Sequence, residues 1–177
     1  MGNPHHQADV AALYQEIILE HAKRPRFKTK AAACQFCQEG KNPLCGDEIT
    51  VFCQWNGADK RLSVTFEGSG CSISQASASM MCSVLQKVTR EEALGYLRKA
   101  EEIYTGKWKG EEFEEDFEAL AGVGQFPVRV KCAALPWKTM ELLLSENFEA
   151  DGTPRAGCEK LNQCPKGIKA LKIVSTE

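Results

Sequence analysis

No run of eighteen apolar residues occurs in this chain, which excludes a transmembrane helix of ordinary length. The first residues also lack the order of a secretory signal, a basic stretch followed by an apolar one. Both absences lead us to expect a cytoplasmic protein with no membrane partner. Neither sign of charge is in excess: 22 Lys and Arg stand against 24 Asp and Glu, a net charge of -2. With no basic stripe and no finger spacing, nucleic acid is not expected as a partner. Histidine is scarce, three in all. His5 and His6 belong to a polar leading segment, Met1 to Gln7, that reads as a tail. His21 lies near a helix end and reads as structural or exposed.

Cysteine, by contrast, is plentiful, nine in 177 residues. The number is odd and the residues are spread along the chain. In a reducing compartment that pattern suits thiolates held by metal or used in chemistry better than a disulfide framework. At 43% hydrophobic and 26% charged, the composition is that of a globular domain. We place one domain at residues 1–148 and a polar, basic C-terminal extension at 149–177.

Apolar residues at helical spacing (Val10, Leu13, Tyr14, Ile17, Ile18) predict a helix capped by Asp9 and stopped at Pro25. Phe27 to Lys41 reads as a loop containing Cys34 and Cys37, a pair that is either spare or a redox or metal half-site. Ile49–Trp55 and Arg61–Glu67 predict an antiparallel hairpin across the turn at 56–59. Cys53 on the first strand is a small buried hydrophobe. A third short strand is expected around Cys71 to Ile73. Ser74 then caps a helix of small residues to Gln86, with Cys82 in the core. Thr89 and Glu92 match a capping box for a helix ending at Gly106. Residues 110–121 are strongly acidic (Glu111, Glu112, Glu114, Glu115, Asp116) and read as a short surface helix anchored by Phe113, Phe117 and Leu120. The last major helix is expected to open at Cys132, because Pro136 is tolerable only in a first turn. The fold class is α+β, a three-stranded antiparallel sheet packed against several helices.

Three cysteines fall at element boundaries rather than in element interiors: Cys45 in Asn42-Pro43-Leu44-Cys45-Gly46-Asp47, Cys71 after Gly68-Ser69-Gly70, and Cys132 after Arg129-Val130-Lys131. With Asp47 they amount to the four ligands of a closed tetrahedral zinc site. The plain alternative is three core cysteines and a turn aspartate. Spacing alone leaves both open, since it matches no short zinc-finger pattern. Three thiolates and a carboxylate around Zn²⁺ sum to a negative charge, which Arg129 and Lys131 are placed to offset. No ligand position is left for a hydrolytic water, so the chemistry on offer is that of sulfur.

Several longer motifs carry a resemblance. They are Leu13-Tyr14 through Pro25-Arg26, Cys45-Gly46-Asp47-Glu48-Ile49, Phe66 through Ser74, Ala76 through Met81, and Phe126-Pro127-Val128-Arg129-Val130-Lys131-Cys132. Over residues 9–148 the chain resembles the U-type iron–sulfur cluster assembly proteins, and within them the zinc-dependent, SufU-like sulfurtransferase branch. The resemblance implies Cys45, Asp47, Cys71 and Cys132 as zinc ligands. It implies a pyridoxal-phosphate cysteine desulfurase as partner, Cys45 as sulfur acceptor and downstream sulfur or cluster acceptor proteins. Arg129 is then the candidate for tuning the site. The scaffold branch has a histidine before its third cysteine, where this chain has Lys131, and it lacks much of the segment around Thr105 to Ala121. Both differences favour sulfur transfer, with assembly of an iron–sulfur cluster on the protein as the alternative. A zinc-stabilised binding module with no chemistry is the third reading. Cys34, Cys37, Cys158 and Cys164 lie outside the family pattern and raise the question of a second metal site.

Overall fold

A computed structural model describes residues 4–29, 35–109 and 115–155. Its elements in chain order are α1 (Pro4–Lys23), β1 (Phe36–Asn42), β2 (Asp47–Asn56), β3 (Arg61–Ser69), α2 (Ser72–Val84), β4 (Val88–Thr89), α3 (Arg90–Tyr104), a 3₁₀ helix (Asp116–Val123) and α4 (Pro127–Asn147). The strands form one antiparallel sheet in the order β1-β2-β3-β4, with β4 only two residues long. The α+β class holds. So does the hairpin, with Val51 opposite Phe66 and Cys53 opposite Val64. Val51, Cys53, Leu62, Val64 and Phe66 are fully buried, and so is Cys82. α4 packs on β1 and β2, and α2 is wedged between β3, α1 and α4.

The third main strand is not where the sequence suggests. Cys71 to Ile73 is not a strand: Cys71 caps α2, which starts at Ser72, and Ser74 sits one turn inside. The third strand is β1, within the segment read as loop. Its inward residues are Phe36, Gln38, Gly40 and Asn42. Only one of these is a large hydrophobe, so the alternation that marks a half-buried strand is missing. The face is polar and small because α4 lies directly on it. A Cβ at Gly40 would fall inside van der Waals contact of Thr139 Oγ1, whose hydroxyl donates to the Leu135 carbonyl at 2.7 Å.

Two helix boundaries also move. α1 begins at Pro4, so Asp9 lies inside it and the leading segment is largely helical. Proline suits a first helical position because its missing N–H would be unsatisfied there anyway. The same rule starts α4 at Pro127, which puts Cys132 in its second turn rather than at its start and Arg129 in its first. Pro136 is therefore interior and buried, withholding the N–H that the Cys132 carbonyl would otherwise receive. The capping box of α3 forms as expected: Thr89 N–H donates to Glu92 Oε2 at 2.7 Å and Glu92 N–H to Thr89 Oγ1 at 3.2 Å.

The acidic insertion is not a surface helix where it is described. Phe117, Glu118, Ala119 and Leu120 are fully buried, and Lys99 donates to Glu118 Oε1 at 2.6 Å. Glu111, Glu112, Phe113 and Glu114 lie outside the described residues. Asp116, at the head of the 3₁₀ helix, closes a ring of polar contacts with α1 and α2. The backbone N–H of Arg26 donates to Ser79 Oγ at 2.7 Å, and the same hydroxyl is hydrogen-bonded to His21 Nδ1, also 2.7 Å away. His21 Nε2–H then donates to Asp116 Oδ2 at 3.0 Å, and Arg26 Nη1 donates to the same oxygen at 3.1 Å. His21 is thus structural, but buried rather than exposed.

Candidate metal centre

The β1–β2 connection is a tight hairpin with Asn42 opposite Asp47. Gly46 takes φ of 68°, a left-handed conformation cheap only for glycine. The Asn42 side-chain oxygen accepts from Leu44 N–H at 3.2 Å, and its carbonyl accepts from Cys45 N–H at 3.3 Å. The tip is thereby folded so that Cys45 is exposed while Asp47, two residues on, is buried.

Asp47 Oδ1 accepts from Cys71 N–H at 2.8 Å, locking the hairpin to the start of α2. Gly70 makes that approach possible. A Cβ there would stand 2.6 Å from Asp47 Oδ1 and 2.6 Å from Ser74 Oγ. Cys71 Sγ lies 3.8 Å from Asp47 Oδ2 and accepts from Ser74 N–H at 3.5 Å, while the Ser74 hydroxyl donates back to the Cys71 carbonyl at 3.0 Å. A cysteine thus performs the reciprocal capping usually left to serine or threonine.

From α4, Cys132 Sγ comes to 3.3 Å from Cys45 Sγ. One donor atom each from Cys45, Asp47 and Cys132 falls within a 4.8 Å span. Cys71 does not join that span but touches it through Asp47. Two sulfurs and a carboxylate oxygen at this separation fit a borderline-soft divalent ion. The Cys132 thiol is pushed well above its usual range, first by burial and then by contact with Cys45 and Asp47 and the charge of Cys71.

Arg129 lines a groove of about 900 Å³ that opens beside Cys45, Cys71 and Cys132 and runs between α1, the 3₁₀ helix and α4. Among the described residues it is the one charged side chain in that lining, which is otherwise largely apolar. Its guanidinium lies over the Phe126 ring, 4.6 Å from the centroid, and makes no ion pair with Asp47. Leu44 and Val128 are strongly exposed nearby.

Asn42 is a site residue that sequence reading passes over. It is fully buried and its Nδ2 donates to Cys132 Sγ at 3.5 Å. Before a proline it reads as a turn residue, and its role depends on the strand whose pattern is missing. Cys37 is disulfide-bonded, where the composition favours thiolates held by metal or used in chemistry and the Cys34/Cys37 pair reads as spare or as a redox or metal half-site. Strand alternation puts it on the opposite face of β1 from Asn42, away from the cluster. Cys45, Cys71, Cys82 and Cys132 are free thiols. Cys34, Cys158 and Cys164 lie outside the described residues. No described helix is long and apolar enough to cross a membrane.

Comparison with known proteins places this arrangement among relatives. Residues 13–133 match the model of the NifU-like N terminal domain. The chain is 38% identical over 139 residues to the zinc-dependent sulfurtransferase SufU of Bacillus subtilis (strain 168), covering 76% of this chain and 90% of that protein. It is 35% identical over 138 residues to the iron-sulfur cluster assembly scaffold protein IscU of Thermotoga maritima, covering 76% and 94%. Among solved structures, a putative iron-sulfur cluster assembly scaffold protein for the SUF system, from Fervidobacterium islandicum AW-1, superposes with a TM-score of 0.65. That pair shares 38% identity over 75% of this chain and 97% of that one.

Proposed function

Because the chain belongs to the NifU-like N terminal domain family, within which iron–sulfur clusters are built, we propose that it is a sulfur relay. Cys45 takes sulfane sulfur from a persulfide on a pyridoxal-phosphate cysteine desulfurase and passes it toward cluster biogenesis. The observation that carries this reading is the exposed Cys45 on a hairpin tip, next to the buried pair Asp47 and Cys132. Cys45 faces solvent and an apolar groove, where a partner's sulfur can reach it.

We assign Zn²⁺ to Cys45, Asp47, Cys71 and Cys132; when bound, it supplies the charge that keeps these thiols ionised at neutral pH. In the transfer, the Cys45 thiolate attacks the outer sulfur of the donor persulfide. A new S–S bond forms at Cys45 and the donor's S–S bond breaks, its electron pair staying on the donor cysteine as thiolate. Nothing is oxidised or reduced overall. Asp47 and Cys132 hold the hairpin tip in place through the exchange. Arg129, beside the groove, faces the incoming anionic sulfur.

The likeness to scaffold proteins named IscU supports a second reading, in which a cluster forms on the same cysteines. Desulfurase turnover separates the two, measured with zinc-loaded protein and with Cys45→Ala at matched metal content. Strong stimulation by the wild type and none by the variant is the outcome expected of a relay. Absence of stimulation by folded, zinc-loaded wild type removes the relay. A coloured cluster that survives iron and sulfide reconstitution and passes to an acceptor then identifies a scaffold.

A further inference from the structure

We propose that Asn42 is the positioning residue that directs sulfur chemistry to Cys45, by hydrogen-bonding the Cys132 sulfur and leaving Cys45 without an N–H donor. The inference deepens the relay reading and rests on it for its biological meaning, although its physical content is independent.

The three sulfurs of the site are not equivalent. Cys132 Sγ accepts from Asn42 Nδ2, and Cys71 Sγ accepts from Ser74 N–H, each at 3.5 Å. Cys45 Sγ has no N–H partner among the described residues. Its neighbour there is the Cys132 sulfur, 3.3 Å away. A hydrogen bond to a metal-held thiolate withdraws electron density from sulfur and lowers its nucleophilicity. Two of the three sulfurs are quieted in this way, and the third is the exposed one.

Asn42 is suited to impose that difference. Burying a carboxamide is unfavourable unless its polar atoms are satisfied. At Asn42 the oxygen is used on Leu44 N–H, the backbone carbonyl on Cys45 N–H and the amide nitrogen on Cys132 Sγ. One side chain therefore shapes the loop that presents Cys45 and holds the sulfur that must not react. Cys132 is also 3% exposed, so simple shielding is the competing explanation and the test has to separate them.

The experiment is limited alkylation of zinc-loaded protein with iodoacetamide, each cysteine's rate read by peptide mapping. Wild type is compared with Asn42→Asp, which keeps an acceptor for Leu44 N–H but cannot donate, and with Asn42→Ala. In wild type Cys45 reacts at least about tenfold faster than Cys132; in Asn42→Asp that ratio falls at least about fivefold, through faster reaction at Cys132, within the range seen when a metal ligand's hydrogen-bond partner is removed. An unchanged ratio in a folded, zinc-loaded variant overturns the proposal and leaves shielding as the cause. If both variants fail to hold metal, wild type loaded with NMR-active cadmium decides instead. A scalar coupling between the metal and the Asn42 side-chain protons, carried through the N–H···S bond, is expected, and its absence overturns the proposal. Neither readout needs a sulfur donor. Failure of persulfide to form on Cys45 sinks the relay, while alkylation selectivity that follows Asn42 sustains this assignment on its own.

Discussion

At Gly70 a single hydrogen atom separates a working site from a spoiled one. A methyl group there meets both Asp47 Oδ1 and Ser74 Oγ at 2.6 Å, so Gly70→Ala must drive the carboxylate off the Cys71 N–H. We expect zinc affinity to fall about 10- to 100-fold with the fold retained, the usual cost of disturbing a ligand's support. Competition with a chromophoric chelator measures it, and an unaltered affinity contradicts the placement of Asp47 in the site. Cys45 and Asp47 stood out in the sequence through the glycine turn between them, whereas Cys132 reads as a helix start and in fact lies in the second turn of α4, as much inside an element as Cys53 and Cys82. Asn42 was not legible. Its partner Cys132 is 90 residues away, and no local pattern announces a contact between a strand end and the second turn of a distant helix. The burial of His21 was hidden for the same reason, since Ser79 and Asp116 are 58 and 95 residues on.

Elements were legible where local chemistry decides them. The box at Thr89 and Glu92 is the plainest case, and it carries a pH signature. Its hydrogen bonds from Thr89 hold the Glu92 carboxyl below the usual 4.5. A carboxylate depressed in the folded state stabilises it above the unfolded value, and that contribution is lost as pH falls through the folded value. Wild type should therefore exceed Glu92→Gln in stability near neutral pH, with the gap closing as pH drops below 4.5. Urea unfolding of both proteins across that interval is the check; a gap that widens in acid refutes it. Where tertiary contact decides, the sequence misled. β1 has a polar inward face because it was shaped to fit α4, and α4 runs through Pro136 because packing on the sheet overrides a helix-breaking residue.

Taken as a whole, the molecule is an α+β domain whose sheet hairpin and α4 bring two sulfurs and a carboxylate to one place, with the capping sulfur of α2 beside that carboxylate. A metal there would add a direct tie among three elements already linked by the Asp47–Cys71, Asn42–Cys132 and Ser77–Ala133 hydrogen bonds. Ligand bound only by the folded state adds about 4 kcal/mol when it stands a thousandfold above its dissociation constant. Removing zinc with excess chelator should thus lower the melting temperature by several degrees and leave a folded but softer protein. An identical melt with and without chelator, at verified metal loss, places the metal elsewhere. The ring of His21, Ser79, Arg26 and Asp116 bears on how such a chain can be altered by recombination. The insertion is not a removable cassette: its first described turn is keyed to side chains from three earlier segments. A relative given this insertion by grafting would have to receive His21, Arg26 and Ser79 with it, and a lineage that sheds the insertion leaves a buried imidazole without a partner for its Nε2 proton.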